Sequence, residues 1–137
     1  MNILQIEGLP PNILYDDVVF IHAVRAGIPG QVVRQTVALL GGHNELIANL
    51  AGTTPGNLHR TYKKAVLAKT QSEAILDLLR LFAYAATIFD NEDIVRSWLD
   101  CEIPALSGTR PIDIMDTFQG RSMVRDILVK IERGEFS

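Results

Sequence analysis

The residues whose types and spacing best suit contact with another macromolecule lie in the segment 44–60, NELIANLAGTTPGNLHR. A small residue, Ala48, stands where two crossing helices must approach closely. Gly52 follows four residues later, where the turn between such helices needs a positive φ that glycine adopts freely. Leu58, six residues further on, would pack the second helix against the first. This spacing predicts a helix-turn-helix.

The second helix of such a motif enters the major groove of DNA with its N-terminal turns. Thr54 is predicted to cap this helix and Pro55 to begin it. Asn and Arg side chains can pair with the edges of adenine and guanine, whereas lysines suit phosphates. The sequence therefore predicts a DNA-binding set that consists of Thr54, Asn57, His59, Arg60, Lys63 and Lys64. An ordinary helical hairpin with a solvated polar face is the alternative interpretation.

Side chains that catalyse reactions or bind metals do not form a pattern in this sequence. The three histidines, His22, His43 and His59, are at no metal-ligand spacing. Cys101 is the single cysteine, so it has no partner for an internal disulfide. The glycine-rich phosphate loop and the common hydrolase motifs are absent. We therefore expect no enzymatic activity, no catalytic residues, no cofactor and no metal site.

The composition is that of a globular protein. Of the 137 residues, 47% are hydrophobic and 21% are charged, values close to the average for globular domains. The longest apolar stretches are interrupted by charges before the ~18 residues that a membrane span requires. Residues 1–10 lack the features of a signal peptide. We expect a soluble cytoplasmic protein that does not contact a membrane.

Apolar residues recur at helical spacing from about residue 14 to residue 133, which predicts an all-α fold of about eight helices. Residues 1–13 contain a double proline and no such periodicity, so we expect an extended arm or a short strand. The clearest helix is 70–89, where Thr70 and Glu73 have the spacing of a capping box. The other predicted helices are 16–27, 29–41, 44–51, 55–66, 90–100, a short one from Pro111 to Gly120, and 121–133, ended by Gly134.

The two halves of the chain differ in charge. Residues 1–70 carry six Lys and Arg against four Asp and Glu, whereas residues 71–137 carry seven against twelve. A basic half joined to an acidic half predicts two surfaces with different partners. We therefore predict an N-terminal arm and helix-turn-helix domain over 1–69 and a helical domain over 70–137. Because the net charge is −3, DNA binding would require a local basic patch, doubled in a homodimer.

The second half resembles a known family in four successive segments: SEAILDLLRLFAYAATIF, DNEDIVRSWLD, PALSGTRPIDIMDTFQG and VRDILVKIERGEFS. Their order and spacing are similar to those of the toxin-binding domain of the Xre/MbcA/ParS antitoxins, the partners of RES-domain toxins. The resemblance covers residues 70–137, and the helix-turn-helix upstream is similar to the Xre-like half of the same antitoxins. The residues that carry it are Trp98, Leu99, Pro104, Ala105, Leu106, Pro111, Gly120 and the segment 131–134.

The resemblance implies a type II antitoxin that binds an NAD-consuming RES-domain toxin and represses its own operon by binding operator DNA. In this family the C-terminal region of the antitoxin covers the active-site cleft of the toxin. Here that role would fall to a toxin-binding set that consists of Arg121, Arg125, Lys130, Glu132, Arg133, Gly134, Glu135, Phe136 and Ser137. Its last residues and the terminal carboxylate would plug a cleft that normally receives an anionic dinucleotide.

One departure from the family pattern concerns the recognition helix. Many relatives have two arginines where this chain has Arg60 and Thr61, which makes the predicted DNA contact less basic. Two alternatives stay open. The chain could be a pure toxin-neutralising module whose helix-turn-helix only dimerises, or a free-standing transcription factor. Trp98 is interpreted as packing between two helices rather than as a binding platform.

Overall fold

The structure, a computed structural model, describes residues 4–135. Over this range the chain forms seven α-helices and three short 3-10 turns, and its one β-bridge is the isolated pair Ile103 and Thr109. The predicted all-α fold is confirmed. None of the helices described is long and apolar enough to cross a membrane. The helices are α1 (Asp17–Ala26), α2 (Gly30–Leu40), α3 (Asn44–Leu50), α4 (Leu58–Tyr62), α5 (Lys69–Phe89), α6 (Glu92–Leu99) and α7 (Phe118–Glu132), and the 3-10 turns are Pro55–Asn57, Pro104–Leu106 and Pro111–Ile114.

The described residues pack as two compact units that divide within α5, one ending at Arg80 and the other beginning at Leu81. The N-terminal unit contains α1 to α4 and the first half of α5. The C-terminal unit contains the second half of α5, then α6, α7 and the two 3-10 turns between them. Our domain boundary between residues 69 and 70, drawn from charge and a capping pattern, stays a prediction.

The first two helices begin and end where their residue types favour it. The Asp16 carboxylate accepts hydrogen bonds from the backbone N–H groups of Val18 and Val19, at 3.0 and 3.2 Å, and so caps α1. Gly27, with a φ of 84°, follows the last residue of α1, and Pro29 stands directly before α2. Both helices lie where the periodicity predicted them.

The core of the N-terminal unit is formed around α2, which contacts both α3 and α4. Its fully buried side chains include Val32, Val33, Ile47, Ile75 and Leu78. The backbone N–H of Ile28 donates to the buried Ser72 hydroxyl at 3.0 Å, and the N–H of Leu67 donates to the Ile28 carbonyl at 2.8 Å. These two hydrogen bonds hold the chain that follows α4 against the start of α2.

Residues 6–15 contain successive turns, so the predicted extended arm or strand is wrong for residues 6–13. The backbone N–H groups of Leu9, Ile13 and Tyr15 each donate to the carbonyl three residues earlier. The neighbouring side chains of Ile13 and Leu14 are both buried, and in an extended strand neighbouring side chains point to opposite faces. The first three residues of the predicted arm lie outside the described residues.

Two helix boundaries also differ from prediction. α5 begins at Lys69, so Thr70 lies inside the helix and the predicted capping box is wrong. The backbone N–H of Ser72 already donates to the Ala68 carbonyl at 2.9 Å, so the helical hydrogen bonds start before Thr70. α4 ends at Tyr62 rather than near residue 66. The N–H groups of Lys63 and Lys64 donate to carbonyls three residues earlier, and the Lys64 carbonyl accepts the Gly30 N–H at 2.9 Å.

Gly120 lies inside α7 rather than at the end of a helix, and the predicted short helix before it is a single turn, Pro111–Ile114. The Thr117 hydroxyl caps α7 by accepting the Gly120 N–H at 2.9 Å. A Cβ at Gly120 would collide with the Ile114 carbonyl. Glycine is therefore needed because α7 approaches the preceding turn closely, not because the helix must stop.

The C-terminal unit packs α6 and α7 together with the second half of α5. Asn91 caps α6 by accepting the Ile94 N–H at 3.0 Å. The rings of Phe89 and Trp98 have centroids 5.7 Å apart at an interplanar angle of 45°, so one side of Trp98 packs against the end of α5, and its side chain remains partly exposed. The buried side chains of this unit include Phe82, Val95, Leu99, Val124 and Leu128.

Candidate functional site

The segment predicted as a helix-turn-helix has the expected conformation. Ala48 and Leu58 are 1% and 3% exposed in the core of the N-terminal unit. Gly52 has a φ of +73°, and a Cβ there would also lie 2.9 Å from Nε2 of Gln71. Because a larger residue would meet both a strained backbone and a close neighbour, glycine is required at this turn.

The second helix of the motif begins with the 3-10 turn Pro55–Asn57 and continues as α4. Thr54 precedes it in an extended conformation, and its carbonyl accepts the Asn57 N–H at 3.0 Å. The Thr54 side chain makes no capping hydrogen bond. The helix therefore starts where predicted. The Thr54 carbonyl, and not the Thr54 hydroxyl, accepts the first hydrogen bond of this helix.

The predicted DNA-binding residues all lie on the surface of the N-terminal unit, whereas Leu58 and Thr61 on the same helix are buried. Lys63 and Lys64 follow the last residue of α4 and belong to its end rather than to its exposed face. The exposed members of the set are Thr54, Asn57, His59, Arg60, Lys63 and Lys64.

The cations of this surface have no acidic neighbours along the chain. Asp and Glu are absent between Glu45 and Glu73. Within residues 4–135, no carboxylate lies within 4 Å of Arg60, Lys63 or Lys64. Three unpaired cations beside an exposed amide and an imidazole can bind a polyanion, because phosphate contacts need positive charge and base contacts need fixed donors.

The predicted toxin-binding set begins with a residue that has a structural role. Arg121 is 5% exposed, and its Nη1 donates to the Met115 carbonyl at 3.0 Å. In this conformation the Arg121 guanidinium supports the turn before α7 and does not lie on the surface. Arg125 is half-buried, and the exposed members are Lys130, Glu132, Arg133, Gly134 and Glu135. Phe136 and Ser137 lie outside the described residues.

Glu132 is held in place by Tyr84, a residue that the sequence interpretation missed. The Tyr84 hydroxyl donates to Oε1 of Glu132 at 2.8 Å. Burial raises the pKa of Tyr84 most, and the hydrogen bond and negative charge of Glu132 raise it further. These residues are 48 positions apart, so no local spacing could have paired them.

The C-terminal end of α7 has a well-defined geometry. Gly134, with a φ of +74°, donates its N–H to the Ile131 carbonyl at 3.0 Å. The N–H of Glu135 donates to the Lys130 carbonyl at 2.8 Å. This pair of hydrogen bonds is a Schellman motif. The predicted glycine at the helix end is confirmed, and the motif fixes the Glu135 backbone against the last turn of α7.

An apolar groove of about 360 Å³ lies beside this helix end. Its apolar lining consists of Ile127 and Ile131 of α7, Trp98 of α6 and the segment 103–105. Two members of the predicted toxin-binding set, Lys130 and Glu135, line the same groove. The apolar lining residues were not predicted as a site, because each taken alone has the pattern of an ordinary core residue. Among residues 4–135, no group of three or more side chains is arranged to hold a metal ion.

Comparison with known proteins agrees with the resemblance noted in the sequence. Residues 85–134 match the family described as the antitoxin Xre/MbcA/ParS C-terminal toxin-binding domain. The C-terminal part of the chain is therefore similar to the toxin-binding domain of the Xre/MbcA/ParS-type antitoxins.

A relative from Sphingobium sp. (strain YBL2), named Prs ADP-ribosylating antitoxin, is similar over most of the chain. It is 26% identical over 130 residues, an alignment that covers 85% of this chain and 80% of the relative. The similarity therefore includes the N-terminal unit as well as the matched domain.

Proposed function

We propose that this antitoxin binds and blocks an NAD-consuming RES-domain toxin through its C-terminal unit and represses its own operon by binding operator DNA through its N-terminal unit. The observation that carries the proposal is the presence in one chain of the matched toxin-binding domain and a helix-turn-helix with three unpaired cations. The chain acts as a cytoplasmic regulator rather than an enzyme, since both partners are bound and neither is transformed.

On the toxin side, the exposed end of α7 supports the proposal. Lys130, Glu132 and Arg133 lie there on a helix whose end is fixed by the Schellman motif and by the Tyr84 hydrogen bond. A preorganised surface of this kind loses less conformational entropy when a partner binds. The tail from Glu135 onward extends this surface into the cleft of the toxin, and Arg121 contributes by supporting α7 rather than by direct contact.

On the DNA side, Asn57 and Arg60 read base edges while Lys63 and Lys64 contact phosphates. Arg60 pairs with guanine through both nitrogens of its guanidinium, and Asn57 pairs with adenine. Only two base-reading side chains per helix give limited specificity. A specific operator therefore requires two copies of the motif on a two-part site.

The exposed face of α1 supports a homodimer. Val18 and Ile21 are 61% and 44% exposed on this helix. Asp17 and Arg25, one at each end of α1, are also exposed, and the Asp17 carboxylate lies 3.5 Å from Nη1 of Arg80 in the same chain. If two copies of α1 pair antiparallel about a twofold axis, the aspartate of each copy meets the arginine of the other, and the apolar side chains between them are covered. We expect Val18→Lys to shift the antitoxin from dimer to monomer in size-exclusion chromatography, whereas Val66→Lys, at another exposed valine, does not.

Two measurements on the wild-type chain test the proposed function. The tagged antitoxin is co-expressed with the product of the neighbouring open reading frame, and co-purification of a RES-domain protein supports toxin binding. A gel shift with a fragment of its own promoter, repeated at several salt concentrations, tests DNA binding. We expect affinity to fall steeply with salt, since each phosphate contact releases counterions. Co-purification without a gel shift would favour the pure toxin-neutralising module. A gel shift without co-purification would favour the free-standing transcription factor.

A further inference from the structure

The apolar groove beside α7 has the composition of a protein-docking site rather than a pocket for a small ligand. Pockets of comparable volume that bind small molecules combine apolar walls with several convergent polar groups. The walls here are Trp98, Ile103, Ile127 and Ile131, with a proline and an alanine at the edge. The charged side chains of the lining, Lys130 and Glu135, are exposed at the rim. A polar ligand would therefore find no enclosed partner among these residues.

We propose that this groove is the docking site for an apolar segment of the toxin, and that Trp98, Ile127 and Ile131 anchor that contact. The inference rests on the proposed function, since it assigns the toxin as the occupant. Seven of the eight lining residues fall within 85–134, the range that matches a domain described as toxin-binding, and Glu135 follows directly after it.

The lining is held rigidly, as an anchor site requires. The Trp98 ring packs against Phe89, and Ile127 and Ile131 stand one turn apart on α7. The Schellman motif fixes the backbone of Glu135 at the rim. A cation and a carboxylate at one rim favour a segment that is apolar in its centre and carries charges of both signs at its flanks. The groove is continuous with the predicted toxin-binding residues, so both contact the same partner.

Ala105 permits a direct test, because it is exposed at the edge of the groove and contributes nothing to the core. We expect Ala105→Arg to fill the groove and weaken binding of the co-expressed RES-domain protein about tenfold or more, as the loss of an interface anchor does. The matched control is Ala38→Arg, which places the same side chain at an exposed alanine of α2 in the N-terminal unit. Its toxin affinity should stay within about twofold of wild type, the scale of energetically neutral contacts.

A second variant, Ile127→Gln, replaces an apolar side chain of the groove lining with a polar one of similar size. It should also weaken toxin binding. Melting curves of each antitoxin alone separate loss of binding from loss of folding. If the wild type binds the toxin and both folded groove variants bind it equally well, the groove proposal is overturned and the proposed function stands. If the variants instead change the oligomeric state of the antitoxin alone, a second copy occupies the groove and the proposal is also wrong. If the wild type does not bind, both proposals fail.

Discussion

The exposed helix of the N-terminal unit draws its predicted contact residues from eleven consecutive positions, 54–64, whereas the groove of the C-terminal unit draws its lining from two segments more than twenty residues apart. The first surface is polar, and its cations have no acidic neighbours. The second is apolar, and its charges lie at the rim. The comparison indicates that local spacing is enough to propose a candidate polar site on one helix, whereas an apolar groove shared between elements requires the tertiary structure.

The surfaces also differ in what positions them. The second helix of the helix-turn-helix is held by backbone contacts: Gly30 donates to the Lys64 carbonyl, and Gly52 permits the tight turn. The end of α7, which contributes to the groove, is held by a side-chain hydrogen bond over a long sequence separation, from Tyr84 to Glu132. Substitutions at the two sites should therefore separate DNA binding from toxin binding if the two units act independently.

The largest expected effect comes from a pair of glycines, one in each unit. A Cβ at Gly30 would collide with the Thr61 carbonyl, and one at Gly120 with the Ile114 carbonyl. On helix propensity alone, Gly→Ala should stabilise by up to about 1 kcal/mol. We instead expect both Gly30→Ala and Gly120→Ala to lower the free energy of unfolding by about 3 kcal/mol, because backbone atoms must move.

Thermal unfolding measures the stability of these variants, and Gly56→Ala is the control because the space around Gly56 is open. Gly30→Ala should reduce the gel shift more than toxin co-purification, and Gly120→Ala should do the reverse. Equal loss of both activities in each variant would mean that the two units fold as one.

The second prediction concerns Arg60 alone. Replacing Arg60 with alanine should weaken operator binding by about 1–3 kcal/mol per subunit, because one bidentate base contact is lost. Toxin co-purification should not change. Arg34→Ala, at an exposed arginine of α2, is the matched control for the loss of one positive charge. If the two arginine variants weaken the gel shift equally, Arg60 contributes charge only and does not read a base.

The third prediction concerns the tail. Deletion of residues 136–137, or Phe136→Asp, should impair toxin neutralisation on the order of 2 kcal/mol while leaving the melting temperature nearly unchanged, because both variants keep the hydrogen bond from the Glu135 N–H to the Lys130 carbonyl. Co-expression of toxin with each variant measures rescue of growth. Full rescue with normal melting would remove the tail from the neutralising surface. A much lower melting temperature would mean that Phe136 packs on its own chain.

The smallest effect is expected at the hydrogen bond between Tyr84 and Glu132. Tyr84→Phe should lower the free energy of unfolding by about 0.5–1 kcal/mol at pH 7. Because the pKa of Tyr84 is raised in the folded state, its stabilising contribution is complete below the ordinary tyrosine pKa of about 10 and is lost as the pH rises through the folded pKa. Chemical unfolding at pH 7 and above pH 10 tests this, and a constant difference between wild type and variant would contradict it.

Local patterns predicted much of the fold correctly, and the errors have a common cause. The starts of α1 and α6 and the glycine that ends α7 were predictable because each depends on residues within one turn of the helix. Thr70 and Gly120 were misread for the opposite reason. Threonine is a residue type that often caps helices, but Thr70 lies inside a helix that begins at Lys69. Glycine often ends a helix, but Gly120 lies inside α7 and allows this helix to approach Ile114 closely.

The sequence by itself determined the helical class, the turn of the helix-turn-helix, the cations around Arg60 and the family of the C-terminal domain, because helical periodicity, glycine requirements and local charge act over a few residues. Only the tertiary structure decided which side chains of the C-terminal unit are available to a partner. The Arg121 side chain is buried and donates a hydrogen bond to the Met115 carbonyl, whereas Trp98, Ile127 and Ile131 line an open apolar groove. Burial depends on which elements pack against each other, and that is a property of the whole fold rather than of any one segment.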